Sequence, residues 1–280
     1  MPAEAIYAIV LLAAISHAVW NALVKASADP LITLALIRFV GLVTGLSLLA
    51  AVPAPDPASW PYLGAAVLAH YAYYSFMLAG YRVGDLSRVY PIARGVAPLV
   101  VTGLAAWLAA EPLTPGQTAA VLLTSGGILL LAFERGAPQR VAAWFALGMG
   151  LSIASYTFLN GMGVRGSGTV LGYFAWLEIG TGSAVVAFTL LRRPNWRAAT
   201  ARVGIAKGLA GGVFSAGGYL IGLWAISLLP MGPVTAVRET SVVFGALIGV
   251  LVLGEPLGHR RIAAAALVAA GVATLALLTG

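Results

Sequence analysis

The chain has 280 residues, of which 60% are hydrophobic and 9% charged, and its mean hydropathy is +0.95. Soluble domains carry about 25% charged residues, so a water-soluble fold is excluded and an all-α integral membrane protein is expected. The net charge of +7 would point to nucleic acid in a soluble chain, but here the basic residues are spaced along loops, so the expected partner is a lipid bilayer and not nucleic acid.

In chain order, ten apolar segments are long enough to cross a bilayer as helices: residues 5–24, 31–52, 60–80, 89–110, 117–133, 141–162, 170–191, 204–226, 234–253 and 260–278. The loops between them are short and hold most of the turn-forming residues, as at 53–57 and 192–195, leaving no room for a soluble catalytic or nucleotide-hydrolysing domain. No GxxxxGK[ST] loop occurs. The strings expected of intramembrane proteases, GxSG and GxGD, are also absent, and Val83-Gly84-Asp85 lacks the first glycine. With no cysteine there is no thiolate metal site or thiol nucleophile. No catalytic residue, metal or cofactor is expected.

Loops after odd-numbered segments carry Lys25, Arg82, Arg88, Arg135, Arg140, Arg192, Arg193, Arg197, Arg202, Arg260 and Arg261, with Lys207 just inside the eighth segment. The termini and the other loops carry only Arg165. This bias puts both termini outside the cytoplasm. No basic residue precedes the first apolar run, so that run does not read as a cleavable signal peptide.

Residues 94–132 overlay residues 238–276 without a gap, matching Arg94 with Arg238, Glu111-Pro112-Leu113 with Glu255-Pro256-Leu257, and Gly127 with Gly271. The match makes helices 4 and 5 equivalent to helices 9 and 10. Each half then holds five helices, residues 1–136 and 137–280, and an odd number inverts the second copy in the membrane. Inverted repeats around a central cavity recur in secondary transporters, and channels use them too.

The residues now resemble a known family. Trp20-Asn21 and Lys25 late in helix 1, Pro30 followed by Arg38-Phe39 in helix 2, and the two Glu-Pro-Leu turns are similar to the ten-helix EamA-type branch of the drug/metabolite transporter superfamily. The resemblance covers nearly the whole chain and implies two EamA repeats. It implies a non-ATP transporter working by alternating access in a bacterial-type inner membrane. The cargo would be small metabolites, amino acids including aromatic and neutral ones foremost, moved by export. A passive facilitator and a drug exporter of the same fold are the alternatives. The termini here carry no basic side chain, unlike many relatives thought to keep both ends in the cytoplasm, and the orientation follows this chain's own charges.

Ionisable groups inside spanning helices cost about 2.5–3.5 kcal/mol on insertion scales and are functional candidates. These are His17, Arg38, His70, Arg94, Glu178, Arg238 and Glu239. Arg38 is expected inside the bundle. Arg94 either snorkels to the inner headgroups near Asp85 or faces a cavity. Arg238 and Glu239, read as just inside the outer end of helix 9, are gate or ion-pair candidates, with Arg238 expected to pair with Glu178 or a neighbouring carbonyl. In helix 3, His70, Tyr74, Met77 and Tyr81 share one face. With Trp20, Asn21, Trp107, Tyr156, Trp176 and Tyr219 they complete the cavity candidates. Pro91, Gly95 and Pro98 are expected to kink helix 4 into a hinge. Spacings such as Gly41xxxGly45 and Gly208xxxGly212 are expected to let helices approach closely.

Overall fold

A computed structural model describes residues 1–83, 86–132, 140–253 and 258–278. The second Glu-Pro-Leu turn at residues 255–257, Asp85 and Arg135 lie outside the described residues, as do the side chains of Lys25, Tyr81, Arg82 and Arg88. Among the described residues the chain is helical, with no strand. The helices are α1 (Ala3–Lys25), α2 (Pro30–Leu48), α3 (Trp60–Val83), α4 (Leu86–Leu108), α5 (Pro115–Ala132), α6 (Arg140–Arg165), α7 (Val170–Arg192), α8 (Trp196–Val203), α9 (Ile205–Leu228), α10 (Met231–Glu239), α11 (Ser241–Leu253) and α12 (His259–Leu277).

Eight of these, α1, α2, α4, α5, α6, α7, α9 and α12, are long and apolar enough to cross a membrane. Helix α3 has the length but is less apolar, because His70 and several tyrosines interrupt it. The ninth expected segment is two helices rather than one, divided at Thr240. Short α8, in the basic loop before α9, was not anticipated; it keeps Trp196 and Arg197 exposed together, with the guanidinium 5.3 Å from the ring. Large apolar side chains such as Phe39, Leu68, Trp144 and Val213 are exposed around the bundle, the surface that a bilayer covers.

Local chemistry explains the helix starts. Asp29 accepts from the amides of Leu31 and Ile32 at 3.1 and 3.3 Å, with Pro30 at the first position of α2. Thr169 caps α7 by accepting from the Gly172 amide at 3.0 Å. Asp29 also meets Arg193 at 3.0 Å, joining the α1–α2 and α7–α8 loops at one end of the bundle. Partial burial pushes the Asp29 carboxyl up, but Arg193 and the capping amides outweigh this and hold it below its usual value. At the other end, the Asp56 amide donates to the Ser167 carbonyl at 3.0 Å, joining the α2–α3 and α6–α7 loops.

Helix α2 packs on α7, α5 on α12, α3 and α4 on α6, and α1 on α9, α10 and α11. Several crossings depend on glycine, those of α5 with α12 and of α2 with α7 among them. A Cβ on Gly127 would come within 2.9 Å of the Ala264 carbonyl oxygen, and one on Gly271 within 2.7 Å of the Ala120 carbonyl oxygen. Residue number rises along α5 as it falls along α12, so the two helices cross antiparallel. On α2, a Cβ at Gly45 would meet the Ala175 carbonyl oxygen at 2.6 Å, and Gly41 leaves the space that the Glu178 carboxylate fills.

Candidate functional site

Seven helices converge on a cavity of about 50 Å³ at the centre of the bundle. Helix α1 contributes Ala13, His17 and Trp20, spaced to share one helical face. Helix α2 contributes Leu34 and Arg38; α3, His70, Tyr73 and Tyr74; and α4, Arg94. Tyr156 comes from α6, Phe214, Ser215, Gly218 and Tyr219 from α9, and Arg238 from α10. The volume admits a few water molecules and no metabolite, so the bundle is contracted around its centre.

Two ion-pair assemblies surround this space. Arg38 Nη1 lies 3.4 Å from Glu178, and Arg38 Nη2 donates to Ser215 Oγ at 2.5 Å. Arg94 Nη1 meets Glu239 Oε2 at 2.6 Å, while Arg238 Nη2 lies 3.4 Å from Glu239 Oε1, so one carboxylate bridges two guanidiniums. Arg94 also contacts His17 Nε2. Because a guanidinium only donates, that nitrogen presents its lone pair and the His17 proton sits on Nδ1. Arg94 is 1% exposed, Glu239 0% and Glu178 1%. Charges this deep persist only when paired, since an isolated one would carry the full desolvation penalty.

A neutral hydrogen-bond chain completes the centre. Tyr173 donates to Asn160 Oδ1 at 3.1 Å, and Asn160 Nδ2 donates to the Tyr219 hydroxyl at 2.7 Å. The Tyr219 hydroxyl lies 3.2 Å from His70 Nε2, and His70 Nδ1 is 2.7 Å from the Ala66 carbonyl. A carbonyl can only accept, so Nδ1 carries the proton and Nε2 receives that of Tyr219. Asn160, Tyr219 and His70 each accept one hydrogen bond and donate one in this chain. His70 stacks on Tyr156 with ring centroids 3.9 Å apart, and Tyr73 meets Tyr156 edge-on at 5.9 Å.

Of the residues singled out from the sequence, His17, Trp20, Arg38, His70, Tyr74, Arg94, Tyr156, Tyr219 and Arg238 line this cavity. Others lie elsewhere. Asn21 donates to its own helix at the His17 carbonyl, and Met77 is packed in an apolar cluster with Tyr73 and Tyr156. Trp176 stands edge-on to Trp60, and Trp107, 81% exposed, faces outward from α4. The expected pairing of Arg238 with Glu178 is not found, because Arg38 takes Glu178 and Arg238 sits beside Glu239.

Nor are Arg94 and Arg238 at opposite faces. Helix α4 starts at Leu86 and α10 at Met231, so the two arginines lie about 12 and 10 Å into helices entering from opposite ends. In a hydrocarbon core of about 30 Å they meet near mid-depth. Pro91, Gly95 and Pro98 all lie within one unbroken helix, and the interruption comes instead at Thr240.

Tyr73, Ser215 and Asn160 were not singled out from the sequence. Tyr73 shares the His70 face of α3, and Ser215 and Asn160 are polar groups within apolar runs, the same criterion that found the ionisable residues. Glu111 was noticed only as a repeat marker. Its carboxylate pairs with Arg165 and accepts from the Met231 amide at 2.9 Å, while Arg165 donates to the Ile226 and Leu229 carbonyls at 2.9 and 2.8 Å. The backbone of Ala110, at φ 52°, makes the turn into Glu111.

An all-helical bundle with an apolar exterior and a buried, charged centre is a multi-pass membrane protein. Residues 140–277 match the model of the EamA-like transporter family, and the chain belongs to that family within the drug/metabolite transporter superfamily. A solved structure described only as "Crystal structure of protein" is similar over 99% of this chain and 97% of its own, with a TM-score of 0.73 and 19% identity. That likeness speaks for the fold alone. No curated protein matches the sequence.

Proposed function

We propose that the protein is a secondary transporter that moves small metabolites across a bacterial-type inner membrane by alternating access, in the direction of export. Amino acids, aromatic and neutral ones included, are the cargo class with which to begin. The observation that carries this reading is the mid-bundle cavity lined by three arginines and aromatic side chains, built by helices from residues 1–136 and 137–280 together. No ATP-hydrolysing motif occurs in the sequence, so solute or ion gradients would supply the energy.

The reading includes ten crossings arranged as two inverted five-helix repeats, with α10 and α11 forming one crossing. Its support is reciprocal contact. Gly127 approaches Ala264, and Gly271 approaches Ala120; both pairs exchange under the sequence match of residues 94–132 with 238–276. A twofold axis requires such an exchange, and an axis in the membrane plane requires matched helices to cross antiparallel, as these do. The packing of α3 on α6 likewise exchanges with that of α9 on α1. With the basic loops taken as cytoplasmic, the termini face outward, and the Arg165–Glu111 pair ties the α4–α5 turn, α6 and the α9–α10 turn together on the outer side as a closed gate.

Reconstituted protein preloaded with unlabelled amino acids tests the proposal. A carrier accelerates uptake of the labelled solute in exchange. Uptake indifferent to preloading would make the protein a passive facilitator, and failure across a broad amino-acid panel would overturn the cargo class. In intact cells, Glu111→Gln should make a cysteine introduced at Ser215 react at least about tenfold faster with an impermeant thiol reagent, because the outer side opens.

A further inference from the structure

We infer that the cavity is a binding site for small organic monoanions with an aromatic or apolar body, and that it favours a carboxylate without a neighbouring ammonium over a zwitterion. The inference rests on the transporter reading and changes its cargo, ranking carboxylates that lack an ammonium above the amino acids taken there as the starting class. Arg38, Arg94 and Arg238 all line the cavity, whereas Glu178 and Glu239 are not among its lining residues. The two carboxylates stand behind the guanidiniums and orient them. Three positive charges against two negative leave one positive charge at the centre, so a solute with one negative charge completes the balance in a medium that screens little.

Arg238 is the arginine with most to offer. Among the described residues its one ion pair is the 3.4 Å approach to a carboxylate already held by Arg94, its Nε has no hydrogen-bond partner, and its guanidinium lies 6.0 Å from the Tyr219 ring centre. Nε–H shares one edge of the guanidinium with Nη2, and a carboxylate that replaced the 3.4 Å contact to Glu239 could take both donors of that edge. For an ammonium the lining offers hydroxyl acceptors but, among the described residues, no carboxylate. The ammonium would meet three guanidiniums, and the ring nitrogens that could accept from it are engaged, His17 Nε2 by Arg94 and His70 Nε2 by Tyr219. The stacked His70–Tyr156 pair, with Tyr219 beside it, offers the surface for an aromatic body.

Three probes sharing one phenyl-ethyl skeleton separate the charges: 3-phenylpropanoate, phenylalanine and phenethylamine. Titration calorimetry on the purified full chain at neutral pH should give 3-phenylpropanoate an affinity at least about tenfold above phenethylamine, with phenylalanine below the anion. Arg238→Gln should reduce that anion-to-amine ratio about tenfold or more, and Arg238→Lys, which retains the charge, should keep most of it. An amine or zwitterion that binds as well as the anion overturns the inference, as does an unchanged ratio in Arg238→Gln. Binding of none of the three by a preparation that still exchanges other solutes also overturns it. Anion binding without exchange of any solute would sink the carrier reading and leave the anion site standing.

Discussion

Helix α4 and the α10–α11 pair are matched in sequence and bring Arg94 and Arg238 to the same cavity, yet they are built differently. Helix α4 runs unbroken through Pro91 and Pro98, while its counterpart breaks at Thr240, where the match has Val96. The break comes from hydroxyl chemistry rather than from a ring. Thr240 Oγ1 donates to the Val237 carbonyl at 2.7 Å, the Thr240 amide reaches the same oxygen at 3.2 Å, and the Val243 amide tightens onto the Thr240 carbonyl at 2.8 Å. At the preceding matched position, Gly95 lets α4 lie against α5, whereas Glu239 supplies the carboxylate that holds both arginines. One of the matched segments gives packing, the other charge and a break in the helix.

Removing the charge is the strongest way to break this comparison. Glu239→Ala leaves the buried Arg94 and the partly buried Arg238 without their shared partner and should destabilise the protein by about 3–5 kcal/mol. Thermal unfolding in detergent measures this, and a melting temperature near wild type would mean that water or another group satisfies the arginines. Gly95→Ala attacks the packing copy. Its Cβ would lie 2.6 Å from Leu129 Cγ and 3.2 Å from the Ser125 carbonyl oxygen, so a loss of about 1–3 kcal/mol is expected. No loss would mean that Leu129 can turn aside.

The break is tested by making the second segment resemble the first. Thr240→Val with Ser241→Ala installs the residues that α4 has at 96 and 97, removing the hydroxyl that bonds back to Val237. If the break is where the helix bends during transport, turnover should fall about tenfold, a barrier increase of about 1.4 kcal/mol, while solute affinity stays the same. Unchanged turnover would return Thr240 to a purely structural role.

Much of this was legible in the sequence, and the omissions have physical reasons. Apolar run lengths located the long helices because each must satisfy its own backbone in lipid. The cost of burying charge picked out Arg38, Arg94, Glu178 and Glu239, which are buried, and Arg238, which is partly buried, all in ion pairs near the centre. Which acid pairs with which base was not legible, since pairing depends on helix rotation and depth. Setting the start of α4 at 89 rather than Leu86, and that of α10 at 234 rather than Met231, moved Arg94 and Arg238 toward opposite surfaces. The break at Thr240 stayed hidden because a threonine in an apolar run is compatible with a continuous helix as well as a broken one.

The smallest expected effect separates the two copies most cleanly. Pro98→Val gives α4 the residue that its counterpart carries at 242 and returns an amide that can bond the Arg94 carbonyl. Since α4 is already helical on both sides of Pro98, this change should alter stability by no more than about 1 kcal/mol and turnover by no more than about twofold. The sequence pattern assigned the hinge to Pro91, Gly95 and Pro98, and that reading demands a slowdown here as large as the one expected at Thr240 and Ser241. Turnover of the two variants, measured side by side in the same exchange assay, decides which copy bends. A large loss in Pro98→Val with none in the double variant would move the joint to α4 and make the break at Thr240 a device for aiming Glu239 alone.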